Sequence, residues 1–316
     1  MDERTVVPWQ HEHVFLGADH ARNARKTRAV MWLCAATMVA EIGGGAWFNS
    51  VAVLADGLHM ATHVSALAIA AFAYSYASRH ARDEDFAFGT GKVGDLAAFA
   101  SAIVLAIVAV FIAWEAVEHL LTPPRIAFRQ AIPLAALGLA VNLLSAWLLR
   151  DDHAHDLADG HAHDHDHEHH RDLNLRAAYV HVLADAGVSV LALIGLTAGL
   201  VLGWIWMDAV MALIGAAVIA NWSWGLVRQA GAVLLDRRPG ANLEAEVRRL
   251  LEQEGERVAD LHLWRVGPGH VAAAITLVCA RPRPPDYYKE RLAGLSQLSH
   301  VTIEVAPVSG RGLDAA

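Results

Sequence analysis

The stretch from Gly187 to Trp222 reads GVSVLALIGLTAGLVLGWIWMDAVMALIGAAVIANW, and Asp208 is its only charged residue. An α-helix rises 1.5 Å per residue, so a run of roughly 40 residues would make a rod about 60 Å long, about twice the hydrocarbon thickness of a bilayer. The chain must therefore turn back within it, and Gly199 to Trp204 is the expected place. Two spanning helices at 177–200 and 204–227 are the economical reading.

Working outward, four further apolar runs of spanning length lie at 29–48, 51–77, 96–121 and 131–149, which makes six spans. The composition agrees. Of 316 residues 55% are hydrophobic and 18% charged, too apolar for an ordinary soluble protein and too charged for a bare bundle. A polar N-terminal segment (1–28), a six-helix transmembrane domain (29–230) and a soluble domain (240–308) account for this balance. The N-terminal segment has no cationic start followed by an apolar run, so no signal peptide is expected. Arg25, Lys26, Arg28, Arg79, Lys92, Arg171, Arg237 and Arg238 all fall on one side of this scheme, and only Arg125 and Arg129 lie near span ends on the other. The positive-inside rule then places both termini and the connection from 151 to 172 in the cytoplasm. Trp47, Trp204, Trp206, Trp222 and Trp224 near span ends fit interfacial belts. Cys34 and Cys279 match no metal or redox spacing.

Beyond residue 240 the pattern changes. Leu243, Val247, Leu250 and Leu251 have helical spacing, and "LHLWRV", "HVAAAITLV" and "HVTIEVAPV" read as strands, with "YYKERLAGLSQLS" a helix before the last. The order αββαβ predicts a small ferredoxin-like α+β domain, with the Pro-rich "RPRPPD" as a loop inside it.

Two short motifs carry the chemistry. In "ADGLHMATH" (55–63) His59 and His63 stand four apart on the second span, and in "VHVLAD" (180–185) His181 and Asp185 do the same on the fifth. Residues at i and i+4 share a helix face, so the two pairs offer four N/N/N/O donors, the number a tetrahedral Zn²⁺ or Co²⁺ site needs. A charged group at the bilayer midplane costs ~2.5–3.5 kcal/mol on insertion scales, so ionisable groups there are functional candidates by default. Asp56, one turn before His59, is a candidate to orient a ligand histidine or to cap a turn. Glu41, Asn142 and Asp208 are further polar groups on spans, placed to line a pathway or to bond across helices. Eight of the chain's nineteen histidines (His153, His155, His161, His163, His165, His167, His169 and His170) crowd into "HAHDLADGHAHDHDHEHH" with interleaved carboxylates. That segment has nothing to bury and is expected to be a disordered metal-capturing loop. His11, His13 and His20 form a smaller candidate metal-binding arm, while His262, His270 and His300 lie on or beside strands.

The whole arrangement resembles the cation diffusion facilitator exporters. The phrases "SVAVLADGLHMATH", "FGTGKVGDLAAF", "VHVLADAGVSVLAL" and "WMDAVMALIGAAVIANWSWGLV" look like that family, and "HEHVFLGADHARNARKTR" with "DLHLWRVGPGH" look like its DmeF-type branch. The resemblance implies a multi-pass protein of a bacterial inner membrane, a homodimer joined through its cytoplasmic tail domain, exchanging divalent cations for protons. The ion is cargo rather than a resident cofactor, and no nucleic acid is implied. Carried over, the transport quartet falls on His59, His63, His181 and Asp185. Family members commonly have Asp where this chain has His63, and an imidazole there softens the site, which suits Zn²⁺, Co²⁺ or Ni²⁺ and disfavours Mg²⁺ or Mn²⁺. The DmeF-type branch is associated with cobalt and nickel. Some members bind a second metal around "FGHGK" with a nearby Asp; here the motif reads "FGTGK", so Thr90 replaces the histidine, and with Asp83 a plain solvated turn is expected.

Two other functions fit parts of the pattern. A bis-histidine haem electron carrier also places histidines in membrane helices, but it needs them on opposite faces of a macrocycle. A membrane metal sensor needs the His-rich loop and the tail, and leaves the intramembrane quartet without a task.

Overall fold

The computed structural model describes residues 14–17, 19–47, 51–123, 128–149, 172–253 and 255–308, with side chains except at 41, 44–46, 51–59, 62 and 130. The side chains of Glu41, Asp56 and His59, the His-rich segment 151–171, His11 and His13 therefore lie outside the described residues.

Each expected span corresponds to a helix: α1 (His20–Trp47), α2 (Val51–Arg79), α3 (Val93–Leu121), α4 (Phe128–Leu149), α5 (Leu173–Leu202) and α6 (Trp206–Leu234). Among the described residues α3, α5, α6 and the stretch Ala131–Leu149 of α4 are long and apolar enough to cross a membrane. The turn inside the long apolar run comes at its predicted place. There α5 stops at Leu202 because Gly203 takes φ 73, a left-handed conformation that costs glycine little, and the Gly203 N–H returns to the Ala198 carbonyl. At its other end α5 is capped by Asp172, whose Oδ1 accepts from the Asn174 and Leu175 N–H groups at 3.0 and 3.3 Å.

In the bundle α1 packs on α2, α3 on α6, and α5 on both α4 and α6. Small residues make these contacts. Ala98, Ala102, Ala109 and Ala116 are buried along one face of α3, while Ile107, Val110, Phe111 and Trp114 are exposed on the remainder. This inversion of a soluble core is what a bilayer selects, since lipid solvates large apolar groups while small residues let helices approach. Gly195 shows how close the approach is: a Cβ there would lie 2.7 Å from Asp208 Cα, so α5 and α6 meet backbone to backbone near their shared turn.

The tail domain has the expected αββαβ order: α7 (Ala241–Leu251), β1 (Arg257–Gly267), β2 (His270–Cys279), α8 (Pro285–Leu292) and β3 (Leu298–Pro307). Its three-stranded sheet runs β1-β2-β3, with β1 antiparallel to β2 and β2 parallel to β3. Pro268–Gly269, with Gly269 at φ 86, makes the β1–β2 turn. Leu243, Val247 and Leu251 from one face of α7 join Leu261, Leu263, Ile275, Leu277, Tyr288 and Leu292 in its core.

The two domains touch through a small joint. Phe15, from the N-terminal segment, is buried with Val266 and Ala272 of the tail, beside Phe88 and Trp264. A Cβ on Gly91 would lie 2.2 Å from the Val266 carbonyl oxygen, and one on Gly267 would lie 2.1 Å from that of Phe15, so both positions need glycine. Lys92 pairs with Asp236 alongside. The "FGTGK" segment is thus not the solvated turn expected of it. Thr90 is buried and its hydroxyl donates to the Ala77 carbonyl at 2.8 Å, because the tail covers this loop; only the acidic tip, where Asp83 Oδ1 accepts from the Asp85 N–H at 3.2 Å, stays a surface turn.

Candidate metal centre

The helical spacing of His181 and Asp185 puts both on the face of α5 that turns toward α2, where His63 meets them. His63 and His181 are 5% and 3% exposed, and the Asp185 side chain is nearly as buried. His63 Nδ1 lies 2.5 Å from Asp185 Oδ2 and 3.3 Å from His181 Nε2, and His181 Nε2 lies 3.7 Å from the same carboxylate oxygen. The two rings meet edge to face with centroids 5.3 Å apart.

Metal–ligand distances near 2.0–2.1 Å in a tetrahedron separate neighbouring donors by about 3.3–3.4 Å. The three separations bracket that value, so adjustments of less than about 1 Å convert the cluster into three corners of a tetrahedron. His63 Nδ1 shares a hydrogen bond with His181 Nε2 and lies in close polar contact with the Asp185 carboxylate, so the three donors are already gathered at one point. Nitrogens 3.3 Å apart leave no space for a macrocycle between the rings, so the geometry favours a compact ion over a haem.

The other candidates fall in different places. His59 lies on α2 one turn before His63 in sequence. Asn142 is buried on α4. Asp208 sits in the first turn of α6 against Gly195, ten residues or about 15 Å of helix beyond Asp185, so it is not a neighbour of the three donors. In the tail, His262 pairs with Asp260 at the surface, His270 bonds to the Ser299 hydroxyl at 2.7 Å, and His300 packs on Phe88. His20 is not part of a metal cluster among the described residues; its Nε2 contacts the Tyr74 carbonyl and the Ser78 hydroxyl at 3.1 and 2.9 Å.

One group of polar residues escaped the sequence reading. Asp172 Oδ2 accepts from Asn23 Nδ2 at 3.0 Å and from the Tyr74 hydroxyl, and the fully buried Asn174 donates through Nδ2 to the Ala70 carbonyl at 3.0 Å. An Asp directly before an apolar run is a helix N-cap signature. That signal was available, but the adjoining His-rich composition drew Asp172 into the loop.

A bundle of apolar helices holding a buried imidazole–carboxylate cluster, with a small α+β domain attached, is the architecture of a membrane protein with a candidate metal site. The chain belongs to the cation efflux family: residues 28–235 match its transmembrane domain, described as "Cation efflux transmembrane domain". Among its relatives is the zinc transporter ZitB of Escherichia coli (strain K12), 30% identical over 305 residues that cover 93% of this chain and 91% of ZitB. The metal cation efflux system protein CzcD of Cupriavidus metallidurans is 31% identical over 311 residues, covering 92% of each chain. A "cadmium, cobalt and zinc/H(+)-K(+) antiporter" of Bacillus subtilis is 28% identical over 258 residues, 80% of this chain and 78% of the antiporter.

Proposed function

We propose that this protein exports divalent transition-metal cations from the cytoplasm in exchange for protons, holding the ion between His59, His63, His181 and Asp185. The observation that carries the proposal is the convergence of His63, His181 and Asp185 to metal-ligand spacing inside an apolar bundle. Names of relatives point the same way, being a zinc transporter, a metal cation efflux protein and a proton-linked cadmium, cobalt and zinc antiporter. The donor set of the described residues, two imidazoles and one carboxylate, suits Zn²⁺, Co²⁺ and Ni²⁺ better than hard cations.

Proton coupling follows from the ligands. An imidazole binds metal only when neutral, and its ordinary pKa of about 6.5 lies close to physiological pH, so protons and metal compete for the same nitrogens. Alternate opening of the site to the two sides then carries an ion out and brings protons back. The Lys/Arg asymmetry supports an orientation with both termini and the tail domain in the cytoplasm. The His-rich segment then faces the compartment from which ions are taken. Pairing of two copies through the tail domain completes the proposed assembly.

The test is metal uptake into proteoliposomes or inside-out vesicles with Zn²⁺, Co²⁺, Ni²⁺ and Cd²⁺, read together with a pH-sensitive dye. Metal flux accompanied by opposing proton flux, lost in His59→Ala, His181→Ala and Asp185→Ala, is the expected result. Undiminished flux in those variants would move the transport site elsewhere.

A further inference from the structure

Two turns of packed helix separate the cluster of His63, His181 and Asp185 from the tail-side surface. Asn174 and His181 are seven residues apart on α5, as are His63 and Ala70 on α2, and seven residues span about 10 Å of helix. Leu67, Leu175 and Ala178 fill that interval and belong to one buried cluster with Val182, Met60 and Cys34. A hydrated ion cannot pass such a plug, because interiors are packed as densely as organic crystals. Above the plug, three helices are tied by polar groups. The Asp172 carboxylate caps α5 with one oxygen and with the other accepts from Asn23 of α1 and Tyr74 of α2. Asn174 adds a second tie from α5 to the α2 backbone at Ala70.

Both Asp172 oxygens already accept hydrogen bonds, and the Asn174 amide N–H and the Tyr74 hydroxyl already donate, so these bonds tie the helices to one another. The bonds are breakable all the same, since water can replace each partner once the helices part. A cavity of about 20 Å³ lined by His20, Tyr74 and Asp172 lies beside them, room for a single water.

We infer that Asp172, Tyr74 and Asn174 form the gate that closes the tail-side end of the transport path, and that this structure has the gate shut. The inference rests on the proposed transport role of His63, His181 and Asp185. An ion from the tail side reaches those donors only when the first two turns of α5 separate from α2, and this separation breaks the Asp172–Tyr74 and Asn174–Ala70 bonds together.

The experiment uses the full chain in proteoliposomes, with Ala70→Cys and Asn174→Cys in a Cys34→Ala, Cys279→Ala background. Oxidation with diamide should cross-link α2 to α5 and reduce Co²⁺ transport at least about tenfold, with recovery on reduction by a phosphine. The visible absorption of Co²⁺ bound to the oxidised protein should persist, because the metal donors lie outside the locked segment. Full transport by quantitatively cross-linked protein would overturn the gate. The metal-site reading fails by a different sign, continued transport in His181→Ala, so the two failures are distinguishable. Tyr74→Phe provides a milder measurement that keeps the ring and removes only the O–H donor. If the gate is loosened, the open fraction rises and the apparent KM for Co²⁺ on the tail side falls about threefold or more, since affinity scales with the fraction of competent protein. An unchanged or raised KM overturns the inference.

Discussion

The helices α2 and α5 carry two polar clusters two turns apart, and the clusters differ in how their hydrogen-bonding capacity is used. In the deeper one, His63, His181 and Asp185 crowd nitrogen and carboxylate donors at 2.5 to 3.7 Å, a spacing that an ion can take over with small movements. In the shallower one, Asp172, Tyr74, Asn23 and Asn174 share their bonds among three helices. In the proposed mechanism the first cluster would exchange a proton for a cation, and the second would exchange protein contacts for water. On this proposal one pair of helices combines a chemical site with a mechanical one, and substitutions should separate the two.

The largest effect is expected in the deeper cluster. His181→Ala or Asp185→Ala should lower Co²⁺ or Zn²⁺ transport by about 100-fold or more, since changes in groups that merely support a ligand cost 10–100-fold. Size-exclusion profiles should stay unchanged, because no helix cap is touched. Acidification comes next. Lowering the pH from about 7.5 to 5.5 protonates imidazoles whose ordinary pKa is about 6.5, so Co²⁺ affinity measured by absorption should fall at least about tenfold and return on neutralisation. His63→Asp probes which ions are accepted. A second hard oxygen donor in place of a nitrogen should raise Mn²⁺ relative to Co²⁺ about tenfold in competition uptake, and an unchanged ratio would remove His63 from the selectivity determinants. The smallest effect belongs to the shallower cluster. Asp172→Ala removes the α5 cap and two side-chain bonds, so thermal unfolding should show a loss of about 1–2 kcal/mol while the Co²⁺ spectrum is retained.

Much of this molecule is legible in its sequence, for identifiable reasons. Apolar length alone marks the six helices, and Gly203 ends α5 within the stretch where the run had to reverse. His63, His181 and Asp185 stand out because they are ionisable groups within apolar spans and two of them share a helix face. The shallower cluster does not stand out, because Asn, Asp and Tyr near span ends are ordinary. Its meaning lies in contacts such as Asn23 with Asp172, which are 149 positions apart and invisible to local periodicity. Thr90 illustrates the same limit: its sequence context reads as a turn, and only the docked tail domain makes it a buried donor to Ala77. Phe15 lies in a segment read for its histidines, whereas the side chain that matters there is the aromatic one between two domains.

That aromatic contact bears on biosynthesis. The Val266 and Ala272 surface that receives Phe15 follows it by more than 200 positions, so it leaves the ribosome long after that ring. Domains generally fold as units in the order of synthesis, so the joint cannot close until every helix has been inserted and the tail has folded. Protection of Phe15 is thus a mark of a folded tail domain, and a product truncated before that domain leaves the ring exposed for quality control to find.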